Sequence, residues 1–225
     1  MFINELFWKE AMAIQYGDIT LAWLGHDGFH LSHDDINVYI DPYRINPKSK
    51  PSANYLLITH SHYDHLSIPD IEPLVTKDTI IICSKDAEAK LAIFRAKVHP
   101  LASHEKYTDD HITVEAVPAY NPDKPFHPLH NGWLGYIVTL GKVRVYHSGD
   151  TDIIPEMKKI TCNIALLPVS GTYVMNAEEA ARAANTIKPD IAIPMHWGAL
   201  IGTQTDAETF KKQSTCKVLI LEREP

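Results

Sequence analysis

Residues 55–65 read Tyr55-Leu56-Leu57-Ile58-Thr59-His60-Ser61-His62-Tyr63-Asp64-His65, a short apolar run followed at once by three imidazoles and a carboxylate within six positions. The apolar run predicts a buried strand. A tight loop at the C-terminal end of such a strand can turn several side chains toward one point. Neutral imidazoles together with a carboxylate suit zinc or a similar divalent ion. A solvated polar turn explains any one of these histidines taken alone, but not so dense a cluster. Two further segments repeat the pattern of apolar strand and ligand-type residue: Val143-Arg-Val-Tyr-His147-Ser-Gly-Asp150 and Ile191-Ala-Ile-Pro-Met-His196. Strand C-termini form the edge of an α/β fold where sites assemble, so the three segments can meet in space.

Outward from these segments, β-branched runs separated by turn signals predict strands over residues 19–24, 29–31, 37–40, 55–58, 79–82 and 112–117. A second set covers 135–140, 143–147, 164–167, 191–194 and 218–221. Helices are expected over 176–187, with Asn176 as N-cap and Glu178 and Glu179 in the first turn, and over 86–96 and 206–213. Strands and helices mixed in both halves predict an α/β protein, and the opening hairpins predict mixed rather than purely parallel sheets. One domain over residues 1–225 is expected, built of two α/β halves of roughly 1–117 and 118–225. The segment Asn121 to Asn131, with three prolines, reads as a long ordered loop of functional type.

The chain has 225 residues, 45% hydrophobic and 22% charged, the balance of an ordinary folded protein. Its three cysteines are widely spaced, which excludes a disulfide framework or a zinc knuckle and leaves them as small apolar residues. A net charge of -7 with no basic run argues against binding of long nucleic acids, though not against a small phosphorylated substrate. No apolar run approaches bilayer length, and Met1-Phe2-Ile3-Asn4-Glu5 is acidic where a signal peptide is basic, so the expected location is cytoplasmic, with no membrane partner. Histidine stands out, with 13 copies. Of these, His33, His99, His104 and His111 read as surface or structural residues, and His147 as a strand residue or a support for Asp150. Tyr43, Trp133, Tyr173 and Trp197 read as core or as cleft walls. Lys124 and Arg44, in expected loops, are solvated or face a substrate anion.

These motifs resemble those of the metallo-β-lactamase superfamily, whose H-x-H-x-D-H pattern is matched by His60, His62, Asp64 and His65 and whose later motifs are matched by Gly149-Asp150-Thr151 and His196. Trp23-Leu-Gly-His26, Ile40-Asp41-Pro42, Tyr146-His-Ser-Gly-Asp-Thr151 and Pro194-Met-His-Trp-Gly198 are similar to the branch that includes the L-ascorbate-6-phosphate lactonases. The resemblance implies a four-layer αββα sandwich with its site in a cleft along one edge of two sheets. It implies one or two divalent ions per chain, zinc foremost, with manganese, nickel or iron as the other choices. By the same resemblance His60 and His62 bind a first ion, Asp64, His65 and His196 a second, and Asp150 bridges them. The family supplies a further first-site histidine after the strand ending at Ala119, where this chain has Tyr120-Asn121. Either the first site is poorer in nitrogen, or a histidine of the following loop, His127 rather than His130, replaces it, or His26 does.

The function expected is hydrolysis of a phosphodiester, lactone or ester in a small molecule by a metal-bound hydroxide, with Asp64 orienting the nucleophile or accepting its proton. The alternative is a metal-binding protein with a regulatory or no catalytic role. A diiron redox protein is disfavoured by Tyr63, where that family has glutamate. The oligomeric state stays open, with a homo-oligomer possible.

Overall fold

The two-residue turns Gly17-Asp18, His26-Asp27 and Asp34-Asp35 fold the first quarter of the chain into a meander. The computed structural model describes residues 12–224, and the Met1 to Glu5 stretch weighed above as a signal lies outside them. The meander comprises β1 (Ala13–Tyr16), β2 (Ile19–Gly25), β3 (Gly28–His33) and β4 (Ile36–Ile40), all antiparallel. Three parallel strands then join it, β5 (Tyr55–Ile58), β6 (Ile80–Ser84) and β7 (Lys97–Leu101), giving a seven-stranded sheet in chain order.

The second sheet repeats this plan. Its antiparallel part is β8 (Lys106–Thr108), β9 (Ile112–Pro118), β10 (Leu134–Leu140) and β11 (Val143–His147), and its parallel part β12 (Ile164–Pro168), β13 (Ile191–Met195) and β14 (Lys217–Val218). Both sheets are therefore mixed, as the hairpin signals predict.

Alternation of side chains along each strand builds the layers. Leu21, Phe29, Leu31 and Leu57 of the first sheet meet Val114, Tyr136, Val145 and Leu166 of the second in one buried core. The opposite face of the first sheet, with Leu56, Ile58 and Ile81, lies under Leu66, Ile71 and Leu91. Ile71 and Leu91 belong to the short helices α1 (Ile68–Ile71) and α2 (Glu88–Leu91). The outer face of the second sheet, with Tyr146, Ala165 and Ala192, is covered by α3 (Ala177–Ile187) and by α4 (Gln204–Gln213) through Phe210. Helix, sheet, sheet, helix is the αββα sandwich. The β5 tetrapeptide is buried on both faces, which is why it reads as an unbroken apolar run.

Helix α3 starts where expected, with Asn176 and Glu179 forming a reciprocal capping box. The helix expected over 86–96 shrinks to the single turn α2. Only Ala87 and Leu91 are buried there while residues 88–90, 92 and 93 face solvent, too narrow an apolar face to hold a longer helix. The last strand is likewise cut to Lys217–Val218. Strands β1, β7 and β8 were not expected; β7 and β8 lie at the sheet edges and are partly exposed, so neither alternation nor a full apolar run marks them. Among the described residues no helix is long and apolar enough to cross a membrane.

Candidate metal centre

Strands β2, β4, β5, β11 and β13 all end toward one edge, and each is followed by a buried polar residue: His26, Asp41, His60, Asp150 and His196. Backbone geometry does the aiming. His26, Asp41 and His196 take positive φ values of 52°, 43° and 59°, a region costly for residues other than glycine. Gly149 also has positive φ, and a Cβ there would lie 2.5 Å from the Leu134 carbonyl oxygen, so this turn before Asp150 requires glycine. The amide of His196 donates to the carbonyl of His26 at 3.1 Å, joining the two turns directly.

Around β5 the hydrogen bonds settle which ring nitrogens are free. Thr59 donates its hydroxyl to Asp41 Oδ2 at 2.5 Å, so His60 Nδ1, 3.0 Å from the same hydroxyl oxygen, must be the donor there. His65 Nδ1 donates to Asp41 Oδ2 at 2.8 Å. His127 Nδ1 faces two carbonyl oxygens, of Tyr173 and of the Asn121 side chain, both at 3.1 Å, and so donates as well. In all three rings Nε2 is left as the ligand atom, an orientation set by the partner of the other nitrogen.

Those free nitrogens converge. His60 Nε2 stands 3.0 Å from His62 Nδ1, and His127 joins them in a group whose ligand atoms lie within 4.8 Å of one another. The Trp133 ring packs 4.6–5.2 Å from all three imidazoles. A second group holds His26, Asp64, His65 and His196, and a third Asp27, His65, Asp150 and His196. Asp150 sits between them, with Oδ2 3.1 Å from His127 Nε2 and 3.5 Å from His196 Nε2, and Oδ1 3.5 Å from His65 Nε2. Of the two replacements weighed for the missing histidine, the structure places His127 beside His60 and His62, and His26 beside Asp64, 3.1 Å away. Asn121 faces elsewhere, accepting from the His127 amide and donating to the Tyr173 carbonyl.

The electrostatics follow from burial and from the carboxylates. Burial holds His60 well below the usual imidazole range and lowers His62 and His26, leaving them neutral. Burial also opposes charge on His196 and His65. There the Asp150 carboxylate, aided by Asp27 for His196 and Asp41 for His65, prevails and lifts His196 to about 9 and His65 well above its ordinary value. Despite burial, Asp150 is held well below the carboxylate range by His65 and His196, and Asp64 is held at about 2, chiefly by the His26 hydrogen bond. Asp27 goes the other way, pushed up by complete burial.

Several buried atoms here have no hydrogen-bond partner: both Asp27 oxygens, Asp150 Oδ1, His26 Nδ1, His65 Nε2 and His127 Nε2. Leaving such atoms unpaired costs about 1–3 kcal/mol each. A cation between these groups would displace the protons that His65 and His196 otherwise carry and would be met by imidazole lone pairs and carboxylate oxygens, so this donor set fits divalent metal.

A cleft of about 640 Å³ opens onto these groups. Its rim is apolar, with Tyr63, Phe126, Tyr173, Leu200 and Ile201. Lys124, considered for a substrate anion, instead binds Asp152 Oδ1 and the Val174 carbonyl, both at 2.6 Å. Arg44 lies exposed over the Tyr43 ring, 5.1 Å from its centre. Trp197 stacks on Trp23 outside the cleft, while Tyr173 lines it. His147 supports the Asp150 turn, accepting from the Gly149 amide and bonding the Asp27 carbonyl.

Two residues of the site went unread in the sequence. In the sequence Asp41 stands out only within the Ile40-Asp41-Pro42 segment. Asp27 lies in Gly25-His-Asp-Gly28, a stretch whose Asp-Gly pair reads as hairpin-turn chemistry.

Fold and site together define a class. Residues 20–196 match the Beta-lactamase superfamily domain, which covers more than half of the chain. A UPF0173 metal-dependent hydrolase of Archaeoglobus fulgidus is 32% identical over 91% of this chain and 94% of its own. One of Methanopyrus kandleri is 30% identical over 87% and 91%. A crystal structure of a candidate metal-dependent hydrolase from Parabacteroides distasonis superposes with a TM-score of 0.84 and 32% identity, over 94% of this chain and 99% of that one. This chain therefore belongs to the metallo-β-lactamase superfamily and, within it, to the UPF0173 metal-dependent hydrolases.

Proposed function

We propose that this protein is a hydrolase that cleaves a small lactone or ester with water activated by two divalent ions. The observation that carries this reading is the set of unpartnered imidazole nitrogens and carboxylate oxygens at the floor of an open cleft. His60, His62 and His127 would hold an outer ion, and His26, Asp64, His65 and His196 an inner one, with Asp150 facing both. Ions held there would lower the pKa of a bound water toward about 7 and would polarise the substrate oxygen. Asp64, half-buried and ionised at neutral pH, stands at the cleft wall, where it can orient the attacking water or take its proton. His62 is exposed to the cleft, so the outer position meets the substrate first.

Between the two substrate classes that the sequence leaves open, the rim supports the uncharged one. Neither lysine nor arginine is among the described residues that line the cleft, and Lys124 is committed to Asp152. The ions would themselves meet the charge of a phosphodiester, but a phosphate held away from them, as in a phosphorylated sugar acid, calls for such a cation, and Tyr63, Phe126, Tyr173 and Leu200 offer apolar surface to the alkyl or aryl group of an uncharged ester.

The test compares wild type with Asp150→Ala and His62→Ala on aryl-ester, lactone, phosphodiester and phosphomonoester substrates, each candidate ion being restored after chelation. Ion-dependent turnover of a lactone or ester, lost in both folded variants, is the expected result. Preference for phosphodiesters overturns the substrate class. Stoichiometric metal without any turnover turns the reading to the non-catalytic alternative.

A further inference from the structure

Asp27 is fully buried and neither of its carboxylate oxygens has a hydrogen-bond partner. A carboxylate in that state is among the costliest groups a fold can hold, and it is tolerated when it is paired or coordinates metal. Its Oδ2 points at three imidazole nitrogens, His65 Nε2 at 3.5 Å, His196 Nε2 at 3.9 Å and His26 Nε2 at 4.0 Å. With Asp150 these define a closed cage, since His65 and His196 also lie 3.5 Å from Asp150 oxygens. Donors about 2.1 Å from one ion stand roughly 3.0–4.2 Å from each other, the range found here.

Resting on the metal reading above, we infer that Asp27 is a further ligand of the inner ion and makes the two positions chemically unequal. The outer position offers three imidazoles and no carboxylate of its own. The inner one draws on two overlapping groups that share His65 and His196, one adding His26 and Asp64 and the other Asp27 and Asp150. Imidazole-only sites suit zinc, whereas added carboxylates favour the harder six-coordinate ions Mn²⁺ and Fe²⁺. The inner position is thus the one that takes Mn²⁺ or Fe²⁺. Its location fits, because Asp27, His65, Asp150 and His196 are all buried, so protein groups rather than bulk water would supply most of its ligand shell.

The experiment is titration of the chelator-treated full chain with Mn²⁺ alone and with Zn²⁺ alone, read by calorimetry and by Mn²⁺ paramagnetic resonance. Wild type should bind one Mn²⁺ per chain. Asp27→Asn, which keeps the volume, and Asp27→Ala should bind it at least about tenfold more weakly. His62→Ala should keep its Mn²⁺ and lose one Zn²⁺. Equal Mn²⁺ affinity in wild type and both Asp27 variants overturns the inference, as does loss of Mn²⁺ in His62→Ala. X-ray absorption of the Mn²⁺-loaded wild type needs no variant: six nitrogen or oxygen neighbours are expected, and four overturn the assignment. A wild type that takes up no divalent ion at all sinks the metal reading itself, a distinct result.

Discussion

Asp41 shows how one side chain can set a whole site. Its carboxylate receives the Thr59 amide and hydroxyl and the Nδ1 proton of His65, so it fixes the start of the histidine-rich turn and the direction of its last ring. Asp41→Asn keeps the size but can satisfy only part of that set. It is expected to weaken divalent-ion binding about 10–100-fold while the fold survives, measured by calorimetry beside circular dichroism. An unchanged affinity would mean that packing alone holds His65. The positive φ of His26, Asp41 and His196 belongs to the same scale. Such backbone is held only when its surroundings dictate it, and here each strained residue ends a strand that points into the site.

At the scale of elements, the loop from Asn121 to Asn131 acts as a strap. Lys124 pins it to Asp152 and Val174, and Asn121 and His127 pin it to the Tyr173 carbonyl. The strap in turn carries His127 and Phe126 to the cleft. Lys124→Met should therefore destabilise the fold by about 1–3 kcal/mol and increase proteolytic cutting within residues 122–131, with weaker zinc binding at the outer position. A variant as resistant as wild type would show that the prolines suffice. The opposite end of the sandwich has its own latch. Tyr55 of β5 and Tyr107 of β8, one from each sheet, both donate to Asp109, at 2.7 and 2.8 Å. Partial burial disfavours the charge on Asp109, but the hydrogen bond from Tyr55 and those from the His111 amide, Tyr107 and the Ile112 amide outweigh it and lower its pKa. A carboxylate lowered in the folded state stabilises it fully above the unfolded value of about 3.9, and that contribution fades as pH falls through the folded value. Asp109→Asn should thus cost about 1–2 kcal/mol at pH 7, with the difference from wild type shrinking toward pH 3 in thermal melts. A pH-independent difference would assign the loss to packing.

For the whole molecule, the two sheets meet at an edge crowded with imidazoles and carboxylates, so folding is expected to be coupled to metal binding. A divalent ion at 100 times its dissociation constant adds about 2.7 kcal/mol to a fold that binds it only when native. For a chain of this size that is roughly 5–10 °C in Tm. Chelation should reverse the shift, and Asp150→Ala should abolish it. A melting temperature indifferent to zinc, manganese and chelator would contradict the coupling.

Local chemistry made much of this legible in advance. The buried run Tyr55–Ile58, the alternating strands and the Asn176 cap follow from periodicity and capping, which act over a few residues, and they suffice for an α/β protein with mixed sheets, while the αββα class follows from the resemblance of the motifs to a known superfamily. The same holds for the crowding of His60, His62, Asp64 and His65, which one turn brings together. Matters of direction and distance were decided only by the tertiary structure. Whether His127 or His26 joins His60 depends on how a proline-rich strap docks across 46 residues of separation onto the Tyr173 carbonyl. Asp27 looks like a solvated turn residue until the β2–β3 turn is pressed against β13, and Lys124 looks free until Asp152 reaches it. Burial, tautomer and partner choice are set by contacts between segments remote in sequence, and no local pattern of residue types encodes them.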